Sequence, residues 1–236
     1  MDPQNMNHDL KIACLKAIYK FYDDFIKGLP VACKPGCDVC CTVNVVATSV
    51  EIDYLVDNME IAQKEKLEAA LAEALSQPHF SPAYTTNDVA AACINMQTKI
   101  PEEHGEHGKG KCPLLHNNLC AVYNYRPFAC RAMLSQSPCD SDTSAYMNSF
   151  MVTVNLAIYQ ILEALDVGRP YGNILDLMAG RLNTISDMDT ETVCKSLPGF
   201  MPLPEEKGRF NSFINRLARQ KVEGTNEPLG TILEFL

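Results

Sequence analysis

The sequence predicts a mainly α fold: a single helical domain with cysteine-rich metal-binding loops and minor β structure. Three observations predict it. Apolar residues recur at helical spacing through much of the chain, and no internal repeat is present. Eight of the eleven cysteines also fall into two loops that interrupt the helical stretches. With 236 residues and 47% hydrophobic content the chain is long enough to bury a core. The expected organisation is a cysteine-cluster region over residues 1–140, with its motifs in 33–139, and a C-terminal helical region over 141–236 packing on it.

The elements follow in chain order. Leu10, Ala13, Cys14, Ala17, Phe21 and Phe25 share one face of a helix over Leu10–Gly28, ended by Gly28 and Pro30. Cys14 lies on that stripe and reads as a buried packing thiol. Pro30–Cys41 is the first cysteine loop, turned by Pro35-Gly36. Thr42–Ala47 is β-prone. Thr48-Ser49-Val50-Glu51 has the form of a capping box, in which a hydroxyl takes an orphan amide and the Glu reaches back. Helices are expected over Ala62–Leu75 and Asn87–Gln97, and a polar loop over Ile100–Lys111. The second cysteine group, Cys112–Cys139, reads as loops and short extended pieces. Beyond it, helices are expected over Ser144–Asp166, Tyr171–Leu182 and Glu205–Lys221.

The charge of −9 and the absence of basic residues interleaved with aromatics argue against a nucleic-acid partner. The most apolar stretch, Phe150–Leu165, carries Thr153, Asn155, Gln160 and Glu163 and is too short and polar to span a bilayer, so no membrane partner is expected. No secretory leader is visible at Met1–Asp9, and a cytoplasmic location is expected. Thiols stay reduced there, which favours metal binding over disulfides.

The first cysteine group is Cys33-x3-Cys37-x2-Cys40-Cys41. The second is Cys112, Cys120, Cys130 and Cys139, with gaps of seven, nine and eight residues. Crowded thiols repel one another once ionised, and a bound cation offsets that repulsion. All eight are therefore candidate metal ligands. Zinc knuckles use short C-x2-4-C pairs, and only Cys37-x2-Cys40 is one, so the spacing favours an iron–sulfur cluster, [4Fe–4S] above other types, over zinc. Adjacent Cys40 and Cys41 point apart, so one of them can serve a second metal, bridge two ions or stay free. Arg126 and Arg131 flank Cys130 and are candidates to stabilise a negatively charged cluster as cofactor-binding residues. His104, His107 and His116 are weaker ligand candidates. Tyr123 is expected in the core, and Cys194 only to pack.

Cys33-Lys-Pro-Gly-Cys37-Asp-Val-Cys40-Cys41, Thr48 and Glu51, Lys111-Cys112-Pro113-Leu114-Leu115, Cys120-Ala-Val-Tyr123 and Arg126-Pro127-Phe-Ala-Cys130-Arg131 together resemble the YkgJ-type cysteine-cluster family, a zinc- or iron-chelating domain also called CxxCxxCC. The first gap is three residues where the family's name has two. The resemblance implies a metal site built from these cysteines. A more distant likeness to the flagellin lysine methylases would imply an iron–sulfur cluster with methyl transfer from S-adenosylmethionine to a protein lysine. The Cys33-x3-Cys37-x2-Cys40 spacing also matches radical S-adenosylmethionine clusters, but the β/α repeats and Gly-Gly-Glu-like segment of that class are missing.

Three functions follow. One is an iron–sulfur protein with a redox or protein-modifying role, whose partner would be a protein substrate. The second chelates and hands on zinc, iron or copper. The third is a structural zinc site in an interaction domain.

Overall fold

In a computed structural model the described residues are 6–97, 99, 102–139, 145–184 and 192–234. Helix α1 (His8–Ile26) opens the fold, its N-terminus capped by Asn7, whose Oδ1 accepts from the Leu10 amide at 2.8 Å. Strand β1 (Val46–Thr48) leads directly into α2 (Ser49–Asp57), and α3 (Ile61–Leu75) and α4 (Thr86–Ile94) follow. A two-residue hairpin, β2 (Leu115–His116) with β3 (Leu119–Cys120), precedes the short α5 (Phe128–Ala132). The long α6 (Ser149–Leu165), strand β4 (Tyr171–Asn173), α7 (Ile174–Arg181), α8 (Lys207–Ala218) and α9 (Leu229–Leu233) complete it. The mainly α expectation holds, with two small antiparallel sheets, β1–β4 and β2–β3, among the described residues.

Two apolar cores organise these elements. The first joins α1 (Leu15, Ile18) to α6 (Val154, Ile158) and α8 (Phe213, Leu217), and takes in Phe128 and Ala132 of α5. The second joins Ile52 and Leu55 of α2 to Leu71 of α3 and Leu175 and Met178 of α7. Leu114 and Val122 of the second cysteine segment are buried in it, and Cys112 and Cys120 pack against it. The cysteine loops therefore straddle the seam: the hairpin rests on one core and α5 is rooted in the other.

Three buried carboxylates lock helix ends to one another. Glu51 closes the capping box on Thr48, whose amide and hydroxyl both donate to Oε2, at 2.9 and 3.0 Å. Its Oε1 accepts from the Phe128 amide at the start of α5 and from the Tyr19 hydroxyl, both at 2.7 Å. Asp166 accepts from the Val50 amide of α2 at 2.7 Å and pairs with Lys11 at 3.2 Å. Glu163 accepts from the Thr86 and Asn87 amides of α4, each at 2.8 Å. Each carboxylate meets orphan helix N–H groups at the positive end of a peptide dipole, which offsets the cost of its burial.

Several expected bounds shift. Tyr171–Asn173 is a strand, not the start of a helix, because it pairs with β1 in the register Val46↔Asn173, Ala47↔Gly172, Thr48↔Tyr171. The β-prone run pairs with β4 from Val46, while Thr42 and Val43 bond Lys111 and Gly110, Asn44 bonds Gly108, and the Val45 carbonyl accepts from Ile174. Ser144, the expected start of α6, lies outside the described residues, as do Ile100 and Pro101 of the polar loop and most of Met1–Asp9. Within that loop Gly108 is clamped by Asn44, whose Oδ1 accepts from its amide at 2.8 Å and whose Nδ2 donates to its carbonyl at 2.7 Å. A Cβ at Gly108 would fall on the Pro78 carbonyl oxygen and within 2.8 Å of Val43 Cγ2. Gly108→Ala is therefore expected to cost about 2 kcal/mol, in the range of overpacking strain, and chemical denaturation would measure it.

Candidate metal centre

The first loop is built from two successive turns. The Cys37 amide donates to the Lys34 carbonyl at 3.0 Å across Pro35-Gly36, where Gly36 has φ +85°. That is the type II turn that Pro at the second position and Gly at the third dictate. The Cys41 amide then donates to the Asp38 carbonyl at 3.0 Å. Beyond this the chain zips against the second segment. Cys112 donates its amide to the Cys41 carbonyl at 3.1 Å, Thr42 bridges Lys111, and the Val43 amide donates to Gly110 at 3.1 Å. Lys111 Nζ ties back to the Asp38 carbonyl and carboxylate at 3.1 and 3.2 Å. Cys41 and Cys112, seventy residues apart in sequence, thus sit on adjacent strands of backbone.

The second segment turns twice. The β2–β3 hairpin pairs Leu115 with Cys120 through Asn117-Asn118, both at positive φ (50° and 60°), the conformation a two-residue hairpin demands and asparagine tolerates. The backbone amides of Leu114 and Val122, each two residues on, counter the rise of the Cys112 and Cys120 thiols. A 3-10 turn, Tyr123–Tyr125, carries the chain to α5 and Cys130. The other flank of the first loop is fixed to the end of α5. Ala32 donates its amide to Ser135 at 2.7 Å, and the Ser135 amide reaches the Cys33 sulfur at 3.3 Å.

The thiols fall into two sets that meet at Cys40-Cys41. Cys130 is driven well above the ordinary thiol range by burial, then by Cys112, Cys120, Cys41 and Cys40. Burial pushes Cys112 up to about 12, with Cys120 and Cys41 adding to it. Cys120 and Cys41 are raised by burial as well, and Arg126 opposes the shift at Cys120. Cys40 is pushed up to about 11 by desolvation, then by Cys41, Cys33 and Cys37. Its side chain still has exposed surface; the dense loop around it is enough to desolvate the sulfur. One set is therefore Cys41, Cys112, Cys120 and Cys130; the other is Cys33, Cys37, Cys40 and Cys41. Their repulsion is the energy a thiophilic cation relieves. Among the described residues no three His, Cys, Asp or Glu side chains stand in a metal-holding group, so the thiols are neighbours at electrostatic range. All eleven cysteines are free thiols.

The remaining candidates are placed differently. Cys139 is half-buried beyond the Ser135–Ser137 turn, and among the described residues no hydrogen bond holds its thiol. Arg126 Nη1 donates to the Tyr123 carbonyl at 2.5 Å, and its guanidinium lies 3.8 Å above the Tyr123 ring. Tyr123 is thus not in the core: it is 60% exposed, because the 3-10 turn presents it outward under that cation. Arg131 is buried and bonds Asp23, the Asn124 carbonyl and the Arg126 carbonyl, with its guanidinium over the Tyr19 ring. His104 is largely exposed beside Glu102, His107 stacks on Phe80, and His116 is exposed on the hairpin. Cys14 and Cys194 are buried packing residues, as expected. The sequence reading missed Glu51's second role. The capping-box motif showed one carboxylate oxygen, whereas the one that seats α5 under Cys130 needed the tertiary fold.

The fold and site define a helical protein that brings two cysteine-rich loops side by side. The chain belongs to the CxxCxxCC family, described as a "putative zinc- or iron-chelating domain", whose model matches residues 32–150. No match was found among curated proteins or among solved structures. Among the described residues no helix is long and apolar enough to cross a membrane.

Proposed function

We propose that this protein chelates a thiophilic metal ion at Cys41, Cys112, Cys120 and Cys130 and exchanges it through Cys33, Cys37 and Cys40. The observation that carries this is the asymmetry between the two sets. Cys41, Cys112, Cys120 and Cys130 are half-buried, whereas Cys37 and Cys40 are exposed. Half-buried sulfurs suit retention. Exposed sulfurs suit capture, because an incoming ion can exchange ligands stepwise, and Cys40-Cys41 stands where the sets meet. Cys139 joins the outer set in this reading. The C-terminal helices act as the scaffold that holds α5, through the shared core of α1, α6 and α8.

A second reading keeps the same sulfurs but fills them with an iron–sulfur cluster, which would supply one-electron redox chemistry and a route to protein modification. It is favoured by the all-sulfur donor set and by Arg126, whose positive charge opposes the rise at Cys120. Protein purified without oxygen separates the two. Chelation predicts colourless protein with zinc or iron that a competing chelator removes within minutes. Acid-labile sulfide and a broad absorbance around 400 nm would replace this reading with the cluster.

A further inference from the structure

A groove of about 470 Å³ runs along α1 beside the cysteine segment, in the size range of small-ligand sites, roughly 300–1,000 Å³. Its floor is Tyr19, Tyr54 and the buried Arg131, and its rim carries Lys16, Lys20, Lys27 and Lys221. Five cations face three carboxylates, Asp23, Asp24 and Glu223, in a chain whose overall charge is −9. Each carboxylate is already engaged. Arg131 pairs with Asp23 at 2.6 Å, Lys16 with Glu223 at 2.8 Å, and Lys27 and Lys20 share Asp24 at 2.6 and 3.5 Å. Lys221 has no ion pair among the described residues.

The Arg131 side chain is 3% exposed, and burial of a guanidinium must be offset by acceptors. Its Nε, one N–H of Nη1 and one N–H of Nη2 reach Arg126 O, Asp23 and Asn124 O, which leaves two N–H groups without a partner among the described residues. A guanidinium held over an aromatic ring in a groove rimmed by lysines offers the donors and charge that an acid group pairs with.

We propose that this groove binds a small organic dianion bearing a phosphate or dicarboxylate group, with its acid group toward Arg131 and its body against Tyr54. The ligand is a separate occupant from the chelated metal. Arg131 follows Cys130 on α5, so the site lies next to the metal centre and shares no cysteine with it.

The test is calorimetric titration of the full chain with inorganic phosphate and with succinate, at fixed ionic strength. Both are weak metal chelators and leave the centre loaded, and metal content is assayed alongside. The expected result is saturable binding of at least one of them, weakened at least about tenfold in the exposed double variant Lys20→Glu/Lys221→Glu and in Arg131→Lys, with acetate binding more weakly. Which anion binds more tightly distinguishes a phosphate from a dicarboxylate ligand. Absence of saturable binding by either at millimolar concentration would overturn the proposal, as would an affinity within twofold of the parent in the lysine double variant.

Discussion

Loading the metal-free protein with zinc or ferrous ion is expected to release about four protons near neutral pH, and its apparent affinity should rise by up to about four decades per pH unit. The reason is the environment of the inner thiols. Burial and mutual repulsion raise Cys41, Cys112, Cys120 and Cys130 above the ordinary thiol range, so all four are protonated before a metal arrives. Each must give up its proton to become a ligand. Calorimetry in buffers of different ionisation enthalpy counts these protons directly. Cys112→Ser should remove one and weaken binding by more than the roughly 10–100-fold typical of losing a supporting hydrogen bond. Release of fewer than two protons would show that these sulfurs do not ligate. The same shifts govern the metal-free fold. Thiols in the unfolded chain titrate near about 8.5. Above that pH the unfolded state binds fewer protons than the folded one, so stability is full below it and falls as pH climbs toward the raised folded values, about 12 for Cys112.

How much of this arrangement could be read from the chain depends on how local each cause is. Helices α1 and α6 follow from apolar residues three and four apart, and the box at Thr48–Glu51 needs only four consecutive residues. The strand Tyr171–Asn173 has no such local cause. It is extended because β1, more than a hundred residues earlier, supplies its hydrogen bonds, and its own residues would also fit a helix. Helix α5 has five residues, too few for a period to show, and it forms on Pro127 and on a carboxylate delivered from α2. The cysteine loops were legible as thiol-rich turns, and Pro35-Gly36 marked where the first one bends. The pairing of Cys41 with Cys112 was not, since backbone bonds across seventy residues leave no mark on either segment. Arg131 shows the limit most clearly. Its position beside Cys130 suggested a partner for sulfur, yet α5 turns its guanidinium toward Asp23 and the α1 groove.

Glu51→Ala is expected to lower stability by about 3–5 kcal/mol, which for a chain of this size is a fall in melting temperature of about 10 °C. The substitution strips the acceptor from four donors at once: the Thr48 amide and hydroxyl, the Tyr19 hydroxyl and the Phe128 amide. All lie where water does not reach easily, since Thr48, Tyr19, Glu51 and Phe128 are each less than 5% exposed. A buried donor left without a partner costs about 1–3 kcal/mol, and partial relaxation of the four keeps the total below their sum. Glu51→Gln retains the shape and one acceptor oxygen but turns an amide N–H2 toward donors, so an intermediate loss is expected. Asp88→Ala, which removes only the local capping box at Thr85 on α4, serves as the comparison, at about 1 kcal/mol. The effect at Glu51 should reach the metal as well, because its Oε1 holds the first amide of the helix that presents Cys130. Metal affinity should therefore fall in Glu51→Gln under conditions where the variant is still fully folded, and stay unchanged in Asp88→Ala. Equal metal affinity in the two folded variants would mean that α5 is seated by Phe128 packing alone, and that the carboxylate only closes the turn at Thr48.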